Sequence, residues 1–199
     1  MPWLVAVDAA AVIGYACDLK GTGDLSALKL NAHRYGVGDE EEDIEQQLIE
    51  MRALRDEMRR RAKVIRGLPR EECPENKVTT ELASRRSLKL DPVLVGVDEC
   101  QVWFEHEDRA TREEFTAICT DLVKRGPALG IMCYFATQKP DAKSIPTGIA
   151  ANAIIRLCFK VEGHISNDQV LGAGAYHRGV RATRFSFDDA SCVVEGFST

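Results

Sequence analysis

The segment PVLVGVDECQVWF, residues 92–104, constrains the fold and the chemistry of this chain more than any other. Its apolar residues run directly into two adjacent acids, Asp98 and Glu99, before a second apolar patch. A short apolar run of this kind is typical of a buried β-strand. Carboxylates at the end of a buried strand are costly unless a ligand there requires negative charge. The segment therefore predicts a ligand site at the carboxyl end of the strand, although two acids that only face solvent would produce the same pattern.

Strands and helices alternate along the rest of the sequence. The apolar runs predict strands at about 12–18, 93–98, 130–137, 153–161, 181–187 and 191–197. Helical periodicity predicts long helices at 39–66 and 109–124 and short ones after 24, within 79–88 and at 167–171. This alternation predicts an α/β fold, with a mostly parallel sheet and helices on both faces. No internal repeat or linker divides the chain, so we expect residues 1–199 to form one domain.

Composition narrows the class of protein. The net charge of -5 argues against a generally basic nucleic-acid-binding protein but not against a local basic groove. The seven cysteines are scattered, mostly in apolar segments and without a CxxC pair, which is typical of buried thiols in a reducing compartment. The sequence has no bilayer-length apolar run and no signal-peptide pattern. We therefore expect a cytoplasmic protein, whose full-length form could associate with a membrane only through a segment outside these residues.

Polar side chains follow four of the predicted strands. These side chains are Asp18 with Lys20, Asp98 with Glu99, Thr137 with Gln138, and Lys160 after Arg156. Ligands of parallel α/β sheets bind beyond the carboxyl ends of the strands, so we expect these groups to converge at one edge. Acids, an amide and basic groups at one edge suit a ligand made of a metal ion and phosphate.

Further segments accompany VLVGVDECQ in a definite order and spacing. They are DLKGTGDLSAL, AHRYG, RRRAKVIRGLP, CPENKVT, KRGPALGI, FATQKPDAKSIPTGIAANAIIR and NDQVLGAGAYHRGVRAT. Together they resemble, from about Ile13 to Phe187, the motor domain of the FtsK/SpoIIIE family of DNA translocases, in the branch found on conjugative and integrative elements. The resemblance implies a RecA-like P-loop NTPase fold, ATP hydrolysis with Mg²⁺, a hexameric ring and movement of double-stranded DNA in conjugation, integration or chromosome partition.

The resemblance also implies roles for individual residues. Asp98 would be the Walker B aspartate that supports Mg²⁺, and Glu99 the catalytic base that orients water. Gln138 would contact the terminal phosphate of ATP. Lys139 and Lys143 would contact DNA. Arg156 would be a catalytic charge partner at the subunit boundary.

Two positions depart from the pattern of the cell-division branch of the family. Pro127 stands where that branch carries a candidate arginine finger, with Arg125 two residues away. The cell-division branch also carries a basic pair after the strand that corresponds to 154–161. In this chain those two positions hold His164 and Asp168. The resemblance therefore leaves the arginine finger unidentified and allows a different set of contacts to DNA.

The phosphate loop of such an enzyme, GxxxxGK[ST], is absent from these residues. The resemblance begins where the P-loop helix would end, so we expect a fragment or a late-start product that lacks the first strand and the P-loop. The missing strand would lie centrally, beside the Asp98 strand, and residues 2–10 or a second copy of the chain would cover the gap. We expect the isolated chain to be inactive in ATP hydrolysis. The alternative is a non-catalytic DNA-binding or ring-assembly module that retains the fold.

Overall fold

Four parallel strands form the central sheet in the computed structural model, which describes residues 12–23, 25–188 and 191–196. The strands are β1 (Ile13–Asp18), β2 (Arg34–Val37), β3 (Val93–Asp98) and β4 (Ile131–Phe135), in the order β2–β1–β3–β4. Every neighbouring pair in this sheet runs parallel. The predicted parallel α/β fold is confirmed, and β3 has the predicted bounds.

The longest helix, α1 (Glu41–Gly67), follows from apolar residues that recur at three- and four-residue steps. Its buried apolar side chains are those of Ile44, Leu48, Met51, Leu54, Met58 and Ile65. Acids fill its first turn and Arg66 lies in its last, which complements the helix dipole at both ends. The predicted amphipathic helix at 39–66 is confirmed.

Four further helices accompany this sheet. They are α2 (Thr80–Ser84), α3 (Gln101–Phe104), α4 (Arg109–Arg125) and α5 (Thr147–Ala150). The Asp108 carboxylate caps α4 by accepting the backbone N–H of Thr111 at 2.7 Å, which satisfies one of the free donors of the first turn. No helix among residues 12–23, 25–188 and 191–196 is both long and apolar enough to cross a membrane.

The two long helices, α1 and α4, pack against one face of the parallel sheet. The side chains of Val93, Val95 and Val97 on β3 join a single apolar cluster with residues of α1 and α4. The opposite face presents Met132 and Tyr134 of β4, which are 44% and 57% exposed. On the same face Ala16 of β1 and Leu94 of β3 are buried, with 1% and 8% exposure. Helices on this second face stay a prediction.

A second, smaller sheet holds the strand expected at 153–161. The strand β5 (Ile155–Cys158) pairs antiparallel with β6 (Val193–Gly196), and the helix α6 (His164–Leu171) packs beside them. The expectation of a buried strand in the parallel sheet is wrong here, because Ile155 and Leu157 are 63% and 47% exposed and pair only within the small sheet. Its core consists of Cys158, Leu171, Ala175 and Ala182.

Two other expectations differ from the structure. The segment 181–187, expected to be a strand, contains the 3-10 turn Ala182–Arg184. The edge strand β2 was not expected, since its four residues, RYGV, are too few and too mixed to produce a periodic signal.

The position of the open strand edge also differs from expectation. The expectation of a gap beside β3 is wrong, because β3 pairs with β1 on one side and with β4 on the other. The edge strand next to β3 is β4, which pairs with no other strand of the described residues. Residues 2–10, expected to cover the gap, lie outside the described residues.

Candidate functional site

The carboxyl edge of the parallel sheet brings the predicted acids together. Asp18 ends β1 and Asp98 ends β3, and the two residues are direct neighbours in the register of these strands. Glu99 follows immediately, and Gln138 follows β4 on the other side of β3. Three of the four strand ends predicted to converge therefore do so. The fourth, with Arg156 and Lys160, belongs to the small sheet.

Glu99 is held in an unusual backbone conformation. Its φ of 53° lies in the left-handed region, which costs a non-glycine residue on the order of 1 kcal/mol. Its side chain is only 7% exposed. The Oε2 atom accepts hydrogen bonds from Gln101 Nε2 at 2.6 Å and from the backbone N–H of Gln138 at 3.4 Å. Local strain and two donors thus fix the carboxylate at the sheet edge.

A hydrogen-bonded chain joins the ends of β3 and β4. The hydroxyl of Thr137 donates to Gln101 Oε1 at 2.7 Å and accepts the backbone N–H of Lys139 at 3.0 Å. Gln101 therefore connects Glu99 to Thr137 through its two amide atoms. Sequence reasoning missed Gln101, and its only sequence signal is an amide residue two positions after a buried acid.

The two amides at this edge have different surroundings. The side chain of Gln138 is exposed, while its backbone N–H is bound to Glu99. Gln101 is half-buried and both of its amide atoms are engaged. Gln138 can therefore reach a ligand beyond the sheet edge, whereas Gln101 can only position its neighbours.

Asp18 is a fully buried carboxylate with unused bonding capacity. Its Oδ2 atom accepts the backbone N–H of Leu25 at 3.4 Å, and its Oδ1 atom accepts no hydrogen bond from the residues that the structure describes. Burial raises the pKa of Tyr35, and the neighbouring Asp18 carboxylate raises it further. A buried carboxylate oxygen without a donor favours a cation or a hydrogen-bond donor in contact with it.

The donors at this edge suit one half of a magnesium–nucleotide site. Mg²⁺ prefers oxygen ligands and is usually held by one or two carboxylates, several waters and phosphate oxygens. Asp98 and Asp18 supply carboxylates on adjacent strands. No group of three His, Cys, Asp or Glu side chains in the described parts of the chain could hold a metal ion unaided. Asp18 and Asp98 could supply carboxylate oxygens to a metal ion that phosphate oxygens also bind.

The lysines predicted to contact DNA lie on the loop after β4. Lys139 Nζ lies 3.3 Å from Glu105 Oε1 and 3.9 Å from Asp141 Oδ2. The same Glu105 accepts the hydroxyl of the buried Ser144 at 2.9 Å, which ties the loop to the end of α3. Lys143 is exposed on the same loop. In this structure Lys139 is therefore engaged by two carboxylates.

Arg156 lies apart from the parallel sheet. Its guanidinium donates to the carbonyl of Ala150 at 2.7 Å and to that of Val170 at 3.4 Å. It therefore joins the end of α5 to α6, and the structure does not place it among the groups at the carboxyl edge of the sheet. A role at a subunit boundary stays a prediction.

Three solved structures share this arrangement of strands and helices. The conjugation coupling protein TcpA of pCW3, solved as a monomer with ATPgS, is 23% identical, with a TM-score of 0.67. EssC of Geobacillus thermodenitrificans, in a structure of its ATPases 2 and 3, is 17% identical with a TM-score of 0.60. The cytoplasmic domain of the type VII secretion ATPase EccC of Thermomonospora curvata is 14% identical with a TM-score of 0.61.

The chain shares its fold with these three solved ATPase structures. The predicted fold class is thereby confirmed, and these FtsK/SpoIIIE-like neighbours support the resemblance drawn from the sequence. The matches cover 86%, 83% and 94% of this chain but 47%, 29% and 21% of the three solved chains, so it spans about half of their length or less. No protein-family model and no curated protein matches the sequence.

Proposed function

We propose that this chain is part of an ATP-driven motor that moves double-stranded DNA, and that it supplies the magnesium and water side of the ATP site. The observation that carries this proposal is the fixed position of Glu99 beside Asp98 at the carboxyl edge of the sheet. P-loop ATPase motors place an acidic pair at this edge to serve metal and water. A nucleotide ligand is supported by TcpA, a similar structure that was solved with ATPgS.

Each residue has a defined task in this scheme. Bound Mg²⁺ would neutralise charge on the phosphates of ATP during transfer. Asp98 would hold the metal, directly or through water. Glu99 would accept a hydrogen bond from the attacking water and orient it toward the terminal phosphate. Gln138 would donate its exposed side-chain amide to that phosphate.

Phosphate binding and the charge of the transition state require groups from elsewhere. The sequence contains no GxxxxGK[ST], so the loop that cradles the phosphates would have to come from outside these 199 residues. Among the described residues β4 pairs only with β3, so its other edge offers a place for a strand that carries such a loop. An arginine from a neighbouring subunit of a hexameric ring would complete the site.

A fusion experiment tests this division of labour. A strand–GxxxxGK[ST]–helix segment joined before residue 1 should confer Mg²⁺-dependent ATP hydrolysis that duplex DNA stimulates. Glu99→Gln should abolish turnover while ATP still binds, because the amide keeps the shape of the side chain but cannot act as a base. The matched control is Glu107→Gln, which changes an exposed acid near α3. If the Glu99→Gln fusion turned over ATP as fast as the fusion that keeps Glu99, the proposal would be refuted.

A non-catalytic DNA-binding or ring-assembly module is the second candidate. The absence of a GxxxxGK[ST] sequence from the 199 residues favours it. In that case, the chain as it stands would bind duplex DNA with steep salt dependence, and the folded fusion protein would not hydrolyse ATP.

A further inference from the structure

The segment 169–187 is basic in a chain that is acidic as a whole. It contains Arg178, Arg181 and Arg184 together with His177, and it has no acidic residue, whereas the whole chain carries a net charge of -5. The segment comprises the last residues of α6, the loop after it and the 3-10 turn Ala182–Arg184. It therefore concentrates positive charge on the small sheet's side of the molecule.

Tyr176 is the centre of this basic surface. The guanidinium of Arg181 lies over its ring at 4.7 Å, and the rings of His164 and His177 each lie 5.9 Å from it. Arg181 Nε also donates to the backbone carbonyl of Tyr176 at 3.0 Å. The stacked guanidinium is thus oriented by both the ring and the backbone beneath it.

Two neighbouring polar residues make the loop rigid. The Asp168 carboxylate accepts the backbone N–H groups of Tyr176 at 2.7 Å and Gly174 at 3.0 Å. The fully buried Asn167 donates to the Val180 carbonyl at 3.0 Å and accepts the N–H of Ala182 at 2.8 Å. The loop therefore presents its exposed side chains from a fixed backbone, as binding loops on rigid scaffolds do.

The three arginines differ in their charge partners. Arg178 lies 3.4 Å from Glu195 and is neutralised locally. Arg181 and Arg184 are exposed, and neither forms an ion pair with a carboxylate in the described part of the chain. Arg184 instead lies over the ring of Phe185 at 5.1 Å. Arg181 and Arg184 are therefore available to an anionic partner, unlike Lys139, which two acids already engage.

We propose that the surface formed by Tyr176, His177, Arg181 and Arg184, the Tyr176 surface, binds the phosphate backbone of a nucleic-acid duplex. Arginine matches the geometry of phosphate oxygens with paired N–H donors, and a rigid loop places it without a large entropic cost. Contacts to phosphates alone carry no sequence information, so binding is independent of sequence. The inference rests on the proposed DNA motor for its partner but requires no ATP turnover.

The test measures binding of the whole chain to a fluorescent duplex of about 30 base pairs across a salt series. We expect the double variant Arg181→Gln/Arg184→Gln to lower the slope of log affinity against log salt by about 2 and to weaken low-salt binding at least about tenfold. Arg181→Lys/Arg184→Lys should restore most of the slope, because the charge returns. Thermal unfolding followed by circular dichroism shows whether each variant is folded.

The matched control is Arg66→Gln/Arg70→Gln, which removes the same charge from two exposed arginines, one in the last turn of α1 and one in the turn after it. It should leave the slope within about 0.5 of the unchanged protein. A wild-type chain that does not bind duplex at low salt overturns the proposal. The proposal is also overturned if the Arg66→Gln/Arg70→Gln control loses as much of the salt slope as the Arg181→Gln/Arg184→Gln variant. Tighter binding to phosphatidylserine vesicles than to duplex overturns it as well. Since ATP is omitted throughout, failure here is separate from failure of the hydrolysis experiment.

Discussion

Trp103 donates its indole N–H to the side-chain oxygen of Gln47 at 2.7 Å, across the interface between α3 and α1. The amide nitrogen of the same Gln47 donates to the carbonyl of Gly38 at 3.0 Å. Gly38 in turn donates its backbone N–H to the carbonyl of Asp18 at 3.0 Å. This buried path links the helix after Glu99 to the end of β1, so one amide side chain supports both acidic strand ends.

Gln47→Ala should lower the free energy of unfolding by about 2–4 kcal/mol, because it leaves the Trp103 N–H and the Gly38 carbonyl without partners and opens a cavity. Urea denaturation monitored by tryptophan fluorescence measures this. The adjacent Gln46 is exposed and its side chain donates to Glu50, so Gln46→Ala should change stability by less than about 0.5 kcal/mol. Equal effects of the two substitutions would contradict the role assigned to Gln47.

Arg61 is 1% exposed and donates to Glu57, to the Leu129 carbonyl and to the Asp91 carbonyl. Arg61→Ala should cost about 3 kcal/mol, because the buried Leu129 carbonyl and the partly buried Asp91 carbonyl lose this donor, while Glu57 keeps only Arg60. The control is Arg59→Ala in the same helix, which breaks an exposed ion pair and should cost less than about 0.5 kcal/mol. Chemical denaturation of both variants compares the two values directly.

The pKa of Asp168 is lowered, chiefly by the backbone N–H of Tyr176. A carboxyl with a lowered folded pKa stabilises the folded state above its unfolded pKa. That contribution is lost as the pH falls below the ordinary value of 3.8 through the folded pKa. Asp168→Asn should therefore reduce the thermal midpoint at pH 7 and reduce it less at pH 3. A difference that grows on acidification would show the opposite sign of linkage.

Burial raises the pKa of Cys17, Cys100 and Cys133 to about 12, so their thiolates are scarce near neutral pH. Cys192 is only half-buried. We expect iodoacetamide to modify Cys192 first in the native protein, and Cys192→Ser to remove the fast phase. Mass spectrometry of a time course at pH 8 identifies the modified residue. Early labelling of Cys100 would show that the sheet edge opens.

The sequence predicted the elements with a strong period and missed those defined only by pairing. The bounds of β3 and the extent of α1 follow from apolar residues at fixed spacing, which local sequence encodes. The edge strand β2 has no such period, because its place depends on hydrogen bonds to β1. The apolar run at 153–161 looked buried, yet hydrophobicity alone does not say which sheet a strand joins.

The acidic residues of the candidate site could be predicted from the sequence, but the contacts that hold them in place could not. Asp98 and Glu99 could be predicted from the sequence, because burying two acids at the end of an apolar strand is costly unless a ligand binds them. The positive φ of Glu99 and the bonds of Gln101 depend on where the end of β4 lies, and the sequence does not encode that contact locally. The pairing of Lys139 with Glu105, 34 residues away, was hidden for the same reason.

The hydrogen bonds from Glu99 through Gln101 to Thr137 give the acid a mechanical connection to the loop that carries Lys139. A displacement of that loop by the width of one hydrogen bond would break the Thr137 contact and release the Gln101 amide. The orientation of Glu99 would then change without any movement of β3. The position of one loop after a neighbouring strand thus determines whether Gln101 can hold the Glu99 carboxylate in place.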